Sequence, residues 1–293
     1  MTSETLDAMS GRRLFLKCEN LQKVGAFKYR GASNAVLSLD SESASRGVVT
    51  HSSGNHAQAL ALAAKRRGIP AHVVMPRNAP DVKRRAVEGY GARVVPCDPT
   101  LQSREDTAAA VIAETGAAMV PSYDDARVIA GQGTVALELL EQCDGDLDVV
   151  VAPLGGGGLL SGIALALREL RPQTLVIGGE PEGADDAARS KSAGMLLGHS
   201  PGKPSTIADG LLTTLGTLTW PVVRDVVARV IVVDDDAIRR AMRLLWERTK
   251  LVVEPSGAVP LAVVLSDAFR DVPGERVGIV LSGGNVDLDR FRW

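Results

Sequence analysis

Short apolar runs alternate with longer stretches in which apolar residues recur every three or four positions, and the alternation continues from Leu14 to Leu281. The apolar runs, bounded by Gly, Pro or polar clusters, predict buried strands; the amphipathic stretches predict helices. Strands are expected at Leu14–Lys17, Gly47–Thr50, Ala71–Met75, Ala92–Pro96, Ala118–Val120, Val149–Pro153, Leu175–Glu180, Val230–Val233 and Val277–Leu281. Helices are expected at Tyr29–Leu39, Asn55–Arg67, Asp81–Gly89, Arg104–Thr115, Gly131–Glu141 and Leu159–Leu170, several ended by Gly or Pro as in Gly68-Ile69-Pro70. Such alternation is the pattern of βαβ units and a mostly parallel sheet. The strand–helix units from Gly47 to Tyr123 read as a smaller lobe, giving a small domain at 46–124 and a large one at 1–45 and 125–293. The stretch Asp185–Thr206 reads as loop-rich and mobile, and Asp234-Asp235-Asp236 as a cap for the next helix.

Composition narrows the classes. The chain has 293 residues, 45% hydrophobic and 23% charged, which suits a globular protein with one large core or two smaller ones. A formal net charge of -2, no long basic run and 3% aromatics favour neither nucleic acid nor an anionic membrane as partner. The segment Met1–Arg13 is polar and lacks a signal-peptide core, and no stretch approaches the ~18 apolar residues of a spanning helix. Cys18, Cys97 and Cys143 lie far apart without CxxC spacing, as expected of reduced thiols in a cytoplasmic protein. The histidines show no zinc-type spacing with them.

Three motifs carry chemistry when taken together. Lys28 lies in Ala26-Phe27-Lys28-Tyr29-Arg30-Gly31, just before an expected helix; an apolar surround would lower its pKa toward the neutral amine that a Schiff base needs. His51-Ser52-Ser53-Gly54-Asn55-His56 follows a strand and opens a helix, whose unpaired amides suit a substrate carboxylate. Ser and Asn there would equally serve as N-caps. Gly155-Gly156-Gly157-Gly158 follows Val149–Pro153 and opens another helix, so its amides can converge on a phosphate. A dinucleotide fingerprint fails there, because the required third glycine falls on Leu160 or Ser161. Without its neighbours Lys28 reads as a solvated lysine, and a tight turn with no ligand is the plain alternative for the glycine run.

With Ile129-Ala130-Gly131-Gln132-Gly133-Thr134, Thr206-Ile207-Ala208-Asp209-Gly210, Glu254-Pro255-Ser256-Gly257 and Ser282-Gly283-Gly284-Asn285, these motifs fall in one family's order. From about Leu14 to Asp287 the chain resembles the fold-type II pyridoxal phosphate (PLP) enzymes of the serine/threonine dehydratase and serine racemase branch, which includes threo-3-hydroxyaspartate dehydratases. Cysteine synthases share that fold but usually carry Thr where this chain has His56. The resemblance implies an α/β fold of the tryptophan synthase β type, two open twisted parallel-sheet lobes with the cofactor between them. It implies a cytoplasmic homodimer that releases a keto acid and ammonia from serine, threonine or 3-hydroxyaspartate. Serine racemase and a non-catalytic PLP-fold binding protein are the alternatives.

Residue by residue, the resemblance makes Lys28 the Schiff-base lysine and the acid/base on one cofactor face, with Ser53 acting from the opposite face in racemases. Phe27, Asn55, Gly155, Gly156, Gly157, Gly158, Leu159, Gly210 and Ser282 would hold PLP, Asn55 at the ring hydroxyl and Ser282 at the pyridine nitrogen. Ser52, Ser53, Asn55, His56, Arg104 and Thr213 would face substrate, and Arg104 matches an arginine that reads a second carboxylate. Glu180, the Ala184 carbonyl and Asp186 would bind a divalent cation, Mg²⁺, Ca²⁺ or Mn²⁺. An exposed helix arginine and a solvated acidic loop are the plain alternatives for Arg104 and for that loop. Departures from the family include Ala26 in place of Ser, Tyr123 where racemases have Asn, and a shortened helix-bearing stretch before Leu14, which puts nucleotide activation in doubt. With no regulatory domain after Trp293, feedback inhibition of the biosynthetic threonine dehydratase type is not expected.

Overall fold

A computed structural model describes residues 1–201 and 204–288, apart from the Val82 side chain. Strands are β1 (Arg13–Cys18), β2 (Val48–His51), β3 (Ala71–Pro76), β4 (Arg93–Cys97), β5 (Ala118–Met119), β6 (Val149–Pro153), β7 (Leu175–Pro181), β8 (Arg229–Val233) and β9 (Arg276–Leu281). Every expected strand is present, with each end within one residue of its expected position. Helices are α1 (Glu4–Ser10), α2 (Lys28–Leu37), α3 (Ser41–Ser45), α4 (Asn55–Arg67), α5 (Asp81–Gly89), α6 (Leu101–Thr115), α7 (Ala126–Gln142), α8 (Gly158–Leu170), α9 (Asp186–Ala193), α10 (Thr219–Asp225), α11 (Asp235–Leu244) and α12 (Pro255–Val264).

Two compact units emerge, Lys28–Gly131 and the pair of segments Met1–Phe27 and Gln132–Trp293. The divisions differ from the expected ones at 45/46 and 124/125. The cause in the smaller unit is α2, which packs on α4 through the small buried residues Gly31, Ala32 and Ala35. The start of α7 also closes on α2: a Cβ at Gly131 would stand 2.7 Å from the Arg30 carbonyl oxygen. The smaller unit is built on a sheet of order β4-β3-β2-β5, every neighbouring pair parallel. The sheet of the larger unit has the order β1-β9-β6-β7-β8, again parallel throughout.

Burial explains these elements. All five residues of β6 are buried, as are all six of β3, so both read as continuous apolar runs. Every residue of α12 is buried, and it has no polar face whose period could have announced it. The core about α12 joins Val259 and Val263 to Val151, Ile177 and Ile279 of the sheet. On the same sheet a second core gathers Leu160, Ile163 and Leu167 of α8 with Val150 and Val176.

Caps set the helix ends that periodicity misplaced. Thr100 Oγ1 accepts from the Ser103 amide at 3.2 Å, so α6 begins at Leu101 rather than Arg104. Asp125 Oδ1 accepts from the Arg127 amide at 2.8 Å and starts α7 ahead of Gly131. Asp234 caps α11 through the Ala237 amide at 2.6 Å, as the acidic triple predicts. The stretch expected to be loop-rich and mobile contains α9, whose Ser190 hydroxyl accepts from the Leu197 amide and ties the following loop back on the helix. Gly202 and Lys203 of that stretch lie outside the described residues. All three cysteines are free, and burial raises each thiol's pKa.

Asp234→Ala removes the α11 cap without touching the core. It should lower stability by about 1 kcal/mol in denaturant titration, and an unchanged midpoint would show that the cap contributes nothing.

Candidate active site

In the smaller unit Lys28 is the first residue of α2, half-buried, and its Nζ donates to the Ser122 carbonyl at 2.6 Å. The amine is therefore held by a protein acceptor rather than solvated at random. His56 is buried at the start of α4, with Nε2 2.9 Å from the Val120 carbonyl oxygen. That nitrogen must carry the proton, which leaves Nδ1 a bare acceptor, enclosed and without a hydrogen-bond partner. Burial first, then the nearby Lys28 charge, push the His56 pKa down to about 3, so the ring is neutral.

The serine loop is not a capping device. Gly54 occupies the N-cap of α4 and makes no side-chain cap, and Asn55 is the first helical residue. Among the described residues Ser52 Oγ accepts only from the Gly54 amide, at 3.3 Å, and Ser53 is half-buried. With capping removed as an explanation, the hydroxyls of this loop remain chemically available beside a helix N-terminus. Arg104 in α6 is half-buried rather than exposed, and its Nε is enclosed without a partner. Its charge reaches His51 and Cys97, at the carboxyl ends of β2 and β4. Arg104 and the serine loop therefore share one edge of the small sheet.

In the larger unit the glycine run leaves the end of β6, where the Leu154 amide donates to Gly179 at 2.8 Å. Gly157 is the N-cap of α8 with φ 87°, a left-handed conformation that glycine adopts freely. A Cβ at Gly155 would come within 2.9 Å of the Leu211 Cα. The Thr219 hydroxyl donates to the Gly156 carbonyl at 2.8 Å and fixes the turn. The run is buried, yet the amides of Gly155, Gly156 and Gly157 meet no acceptor among the described residues. A helix also leaves its own first amides unpaired, here those of Gly158, Leu159 and Leu160. Orphaned buried donors at a helix N-terminus are what a phosphate requires, so these residues fit that part of PLP.

Ser282 is buried just beyond β9, and its carbonyl accepts from the Phe27 amide at 3.0 Å. Asn285 Nδ2 donates to the Val24 carbonyl at 2.7 Å, and Val24 itself has φ 59°, a strained value for a β-branched residue. Gly210 and Thr213 are exposed, and the Gly210 amide donates to Ser256 Oγ at 3.0 Å. At the end of β7, Glu180 is buried and accepts from the Ala187 and Ala188 amides at 3.0 and 2.8 Å. Burial pushes its pKa up to about 8. Asp186 is 1% exposed with Oδ1 3.2 Å from His199 Nδ1, and burial raises its pKa too. Among the described residues no three His, Cys, Asp or Glu side chains converge as a complete metal site. Sequence reasoning missed the Ser122 carbonyl and Thr219, since a backbone acceptor and an isolated hydroxyl leave no motif.

A parallel α/β scaffold with a buried glycine turn of unpaired amides and a lysine held on a backbone carbonyl defines the class, and residues 1–283 match a family model described as pyridoxal-phosphate dependent enzyme. The chain belongs to that family. It is 55% identical to serine racemase of Arabidopsis thaliana over 98% of this chain and 87% of the relative. It is 53% identical to the beta-hydroxyaspartate dehydratase of Paracoccus denitrificans, over 100% of this chain and 91% of that one. The solved structure of maize serine racemase superposes with a TM-score of 0.96 at 52% identity, covering 99% of this chain and 88% of that one. No helix of the described residues is long and apolar enough to cross a membrane.

Gly157→Ala places a methyl on a left-handed residue against Leu215 and Thr219. The holo-protein should lose PLP more readily in dialysis followed by absorbance, with roughly 1–2 kcal/mol of strain from the left-handed backbone. Full cofactor retention would remove the turn from the phosphate site.

Proposed function

We propose that this chain catalyses PLP-dependent β-elimination of small β-hydroxy amino acids, releasing a keto acid and ammonia, with 3-hydroxyaspartate favoured over serine and threonine. The observation that carries the substrate preference is Arg104, half-buried with an enclosed, unpartnered Nε on the edge that holds the serine loop. A guanidinium in that state has a donor to offer a carboxylate, and hydrogen bonds to charged groups are worth about 1.5–3 kcal/mol.

PLP, when bound, supplies an electron sink for the charge left on the substrate's α-carbon. Lys28 takes the α-proton at Nζ and returns a proton during the cycle, the Ser122 carbonyl holding that amine while it is free. The amides of Gly155–Gly158 and Leu159 would hold the phosphate, and Phe27, Gly210 and Asn55 would hold the rest of the cofactor. Ser282 would offer a hydroxyl rather than a carboxylate to the ring nitrogen, chemistry that would favour loss of a β-leaving group over transamination. Ser52, Ser53, Asn55, neutral His56 and Thr213 orient the substrate, its α-carboxylate at the α4 N-terminus. The hydroxyl leaves with proton assistance, typically worth roughly 10²–10⁴-fold.

Racemisation is the second reading, and Ser53 favours it: a half-buried hydroxyl that makes no hydrogen bond among the described residues can exchange a proton from the face opposite Lys28. A divalent cation at Glu180, Ala184 and Asp186 is supported by two buried acids, Glu180 at the end of β7 and Asp186 just beyond it. A cytoplasmic location accords with three free thiols, and a homodimeric assembly follows from the family resemblance.

Keto-acid release from L-threo-3-hydroxyaspartate and L-serine, measured side by side with PLP and Mg²⁺, tests the reading. Release from hydroxyaspartate should dominate, vanish in Lys28→Ala, and lose at least about tenfold of its advantage over serine in Arg104→Ala. An unchanged ratio in Arg104→Ala would end the second-carboxylate role. Ser53→Ala should depress handling of the D-isomer more than elimination from the L-isomer, and equal loss of both would contradict its assignment.

A further inference from the structure

The three acids at the start of α11 divide their work. Asp234 caps the helix, and Asp236 pairs with Arg239 at 2.9 Å. Asp235, the half-buried one, reaches outside the helix: its carboxylate accepts from the Thr206 hydroxyl and, at 3.0 Å, from the Ile207 amide. Thr206 is fixed in turn, because its oxygen also accepts from the Ala208 amide at 3.1 Å. The Ala208 carbonyl accepts from the Leu211 amide at 2.9 Å, which closes the single helical turn Asp209–Leu211. Leu211 is the residue against which Gly155 packs. Further along, Leu215 and Thr219 stand behind Gly157, and the Gly216 amide donates at 2.9 Å to the Thr219 oxygen whose hydroxyl holds the Gly156 carbonyl. Segment 206–219 is therefore the wall behind the glycine run. Asp235 ties that wall to α11, and the Gly210 amide on Ser256 Oγ ties it to α12.

We infer that Asp235 is a positioning residue for the cofactor phosphate: by latching Thr206 and Ile207 it fixes the wall that shapes the glycine cradle. The inference rests on reading the amides of Gly155–Gly158 and Leu159 as the phosphate site. Four consecutive glycines have the freest backbone a chain can carry, so their shape comes from what they lie against rather than from their own torsional preferences. That support is close enough to exclude a side chain, since a Cβ at Gly155 or Gly157 would come within 2.9 or 2.8 Å of the wall. Convergent donors bind an anion well when they are held in place beforehand, and ordering them on binding costs affinity. A carboxylate accepts both bonds at once, and its charge sits in the first turn of α11, where the helix dipole favours it. Asn keeps one acceptor oxygen there, and Ala keeps none. Asp235 acts through Thr206, Ala208 and Leu211, so its removal loosens the phosphate end of the cofactor and leaves the ring end alone.

The test compares PLP with pyridoxal, which has the same ring and aldehyde but no phosphate. Full-length protein is equilibrated by dialysis against graded concentrations of each, and occupancy is read by absorbance. The natural protein is set beside Asp235→Ala, Asp235→Asn, Thr206→Val and Thr206→Ser. Loss of a hydrogen bond to a charged group should weaken PLP by roughly tenfold in Asp235→Ala and Thr206→Val, with pyridoxal changed by less than about twofold. Asp235→Asn should fall between Asp235→Ala and the natural protein, and Thr206→Ser, which keeps the hydroxyl, should bind both compounds normally. Asp235→Ala with Thr206→Val should match Asp235→Ala alone, because the two changes remove one shared bond. Equal weakening of PLP and pyridoxal, or unchanged PLP binding, overturns the positioning role and leaves Asp235 a tie of the fold alone. Thr206→Val exchanges one hydroxyl for a methyl, so it reads the latch even if Asp235→Ala fails to fold. If Gly157→Ala leaves the ratio of PLP to pyridoxal affinity unchanged, the glycine run is not the phosphate site, a result distinguishable from failure of the latch.

Discussion

The candidate site depends on the parallel register of each sheet. Parallel strands send all their carboxyl ends to one edge, so loops remote in sequence arrive together without any contact having to recruit them. In the larger unit β6, β7 and β9 run side by side, and their ends deliver the glycine turn, the Glu180 loop and Ser282 to that edge. The same rule in the smaller unit places the serine loop after β2, Arg104 after β4 and the Ser122 carbonyl after β5. Burial along the whole of β3 and β6 fixes these central strands in the two sheets, and a one-residue shift of either would reverse every side chain.

Glycine does the fine positioning in several family motifs. Gly131 is needed where α7 meets α2, and Gly133 lies against the Gly162 carbonyl, so Ile129–Thr134 is explained by helix packing rather than by chemistry. Gly257 and Gly283 press together, with a Cβ on Gly257 standing 2.8 Å from the Gly283 oxygen. Glu254 then accepts from the Asn285 amide, closing the Ser282–Asn285 turn onto the start of α12. By contrast the Gly155–Gly157 amides meet no acceptor among the described residues, so packing alone does not account for that motif.

Much of this was legible in the sequence, for unequal reasons. Strands were read almost to the residue because a fully buried parallel strand is a bare apolar run between turn residues. Helices were read where one face is polar, as in α4 and α5, and missed where none is, as in α12. Asp234 was seen as the cap of the next helix, and α11 follows it, although its bounds were not read in advance. Lys28, the serine loop and the glycine run announced themselves as contiguous motifs. Thr219 and the Ser122 carbonyl did not, since their meaning comes from partners brought close only by the fold. The serine loop shows the opposite lesson, for its composition fits capping and the backbone gives that role to Gly54.

The strained Val24 couples two distant parts of the larger unit. Its left-handed backbone sits in a turn closed locally by the Gly25 amide on the Gln22 carbonyl, and it is also held by Asn285, 261 positions further along the chain, beside the pairing of β1 with β9. Closing a loop of that length carries a large entropy. The shape of the turn just ahead of Lys28 therefore depends on a residue that follows the last strand, and a change at Asn285 is felt at the start of the chain.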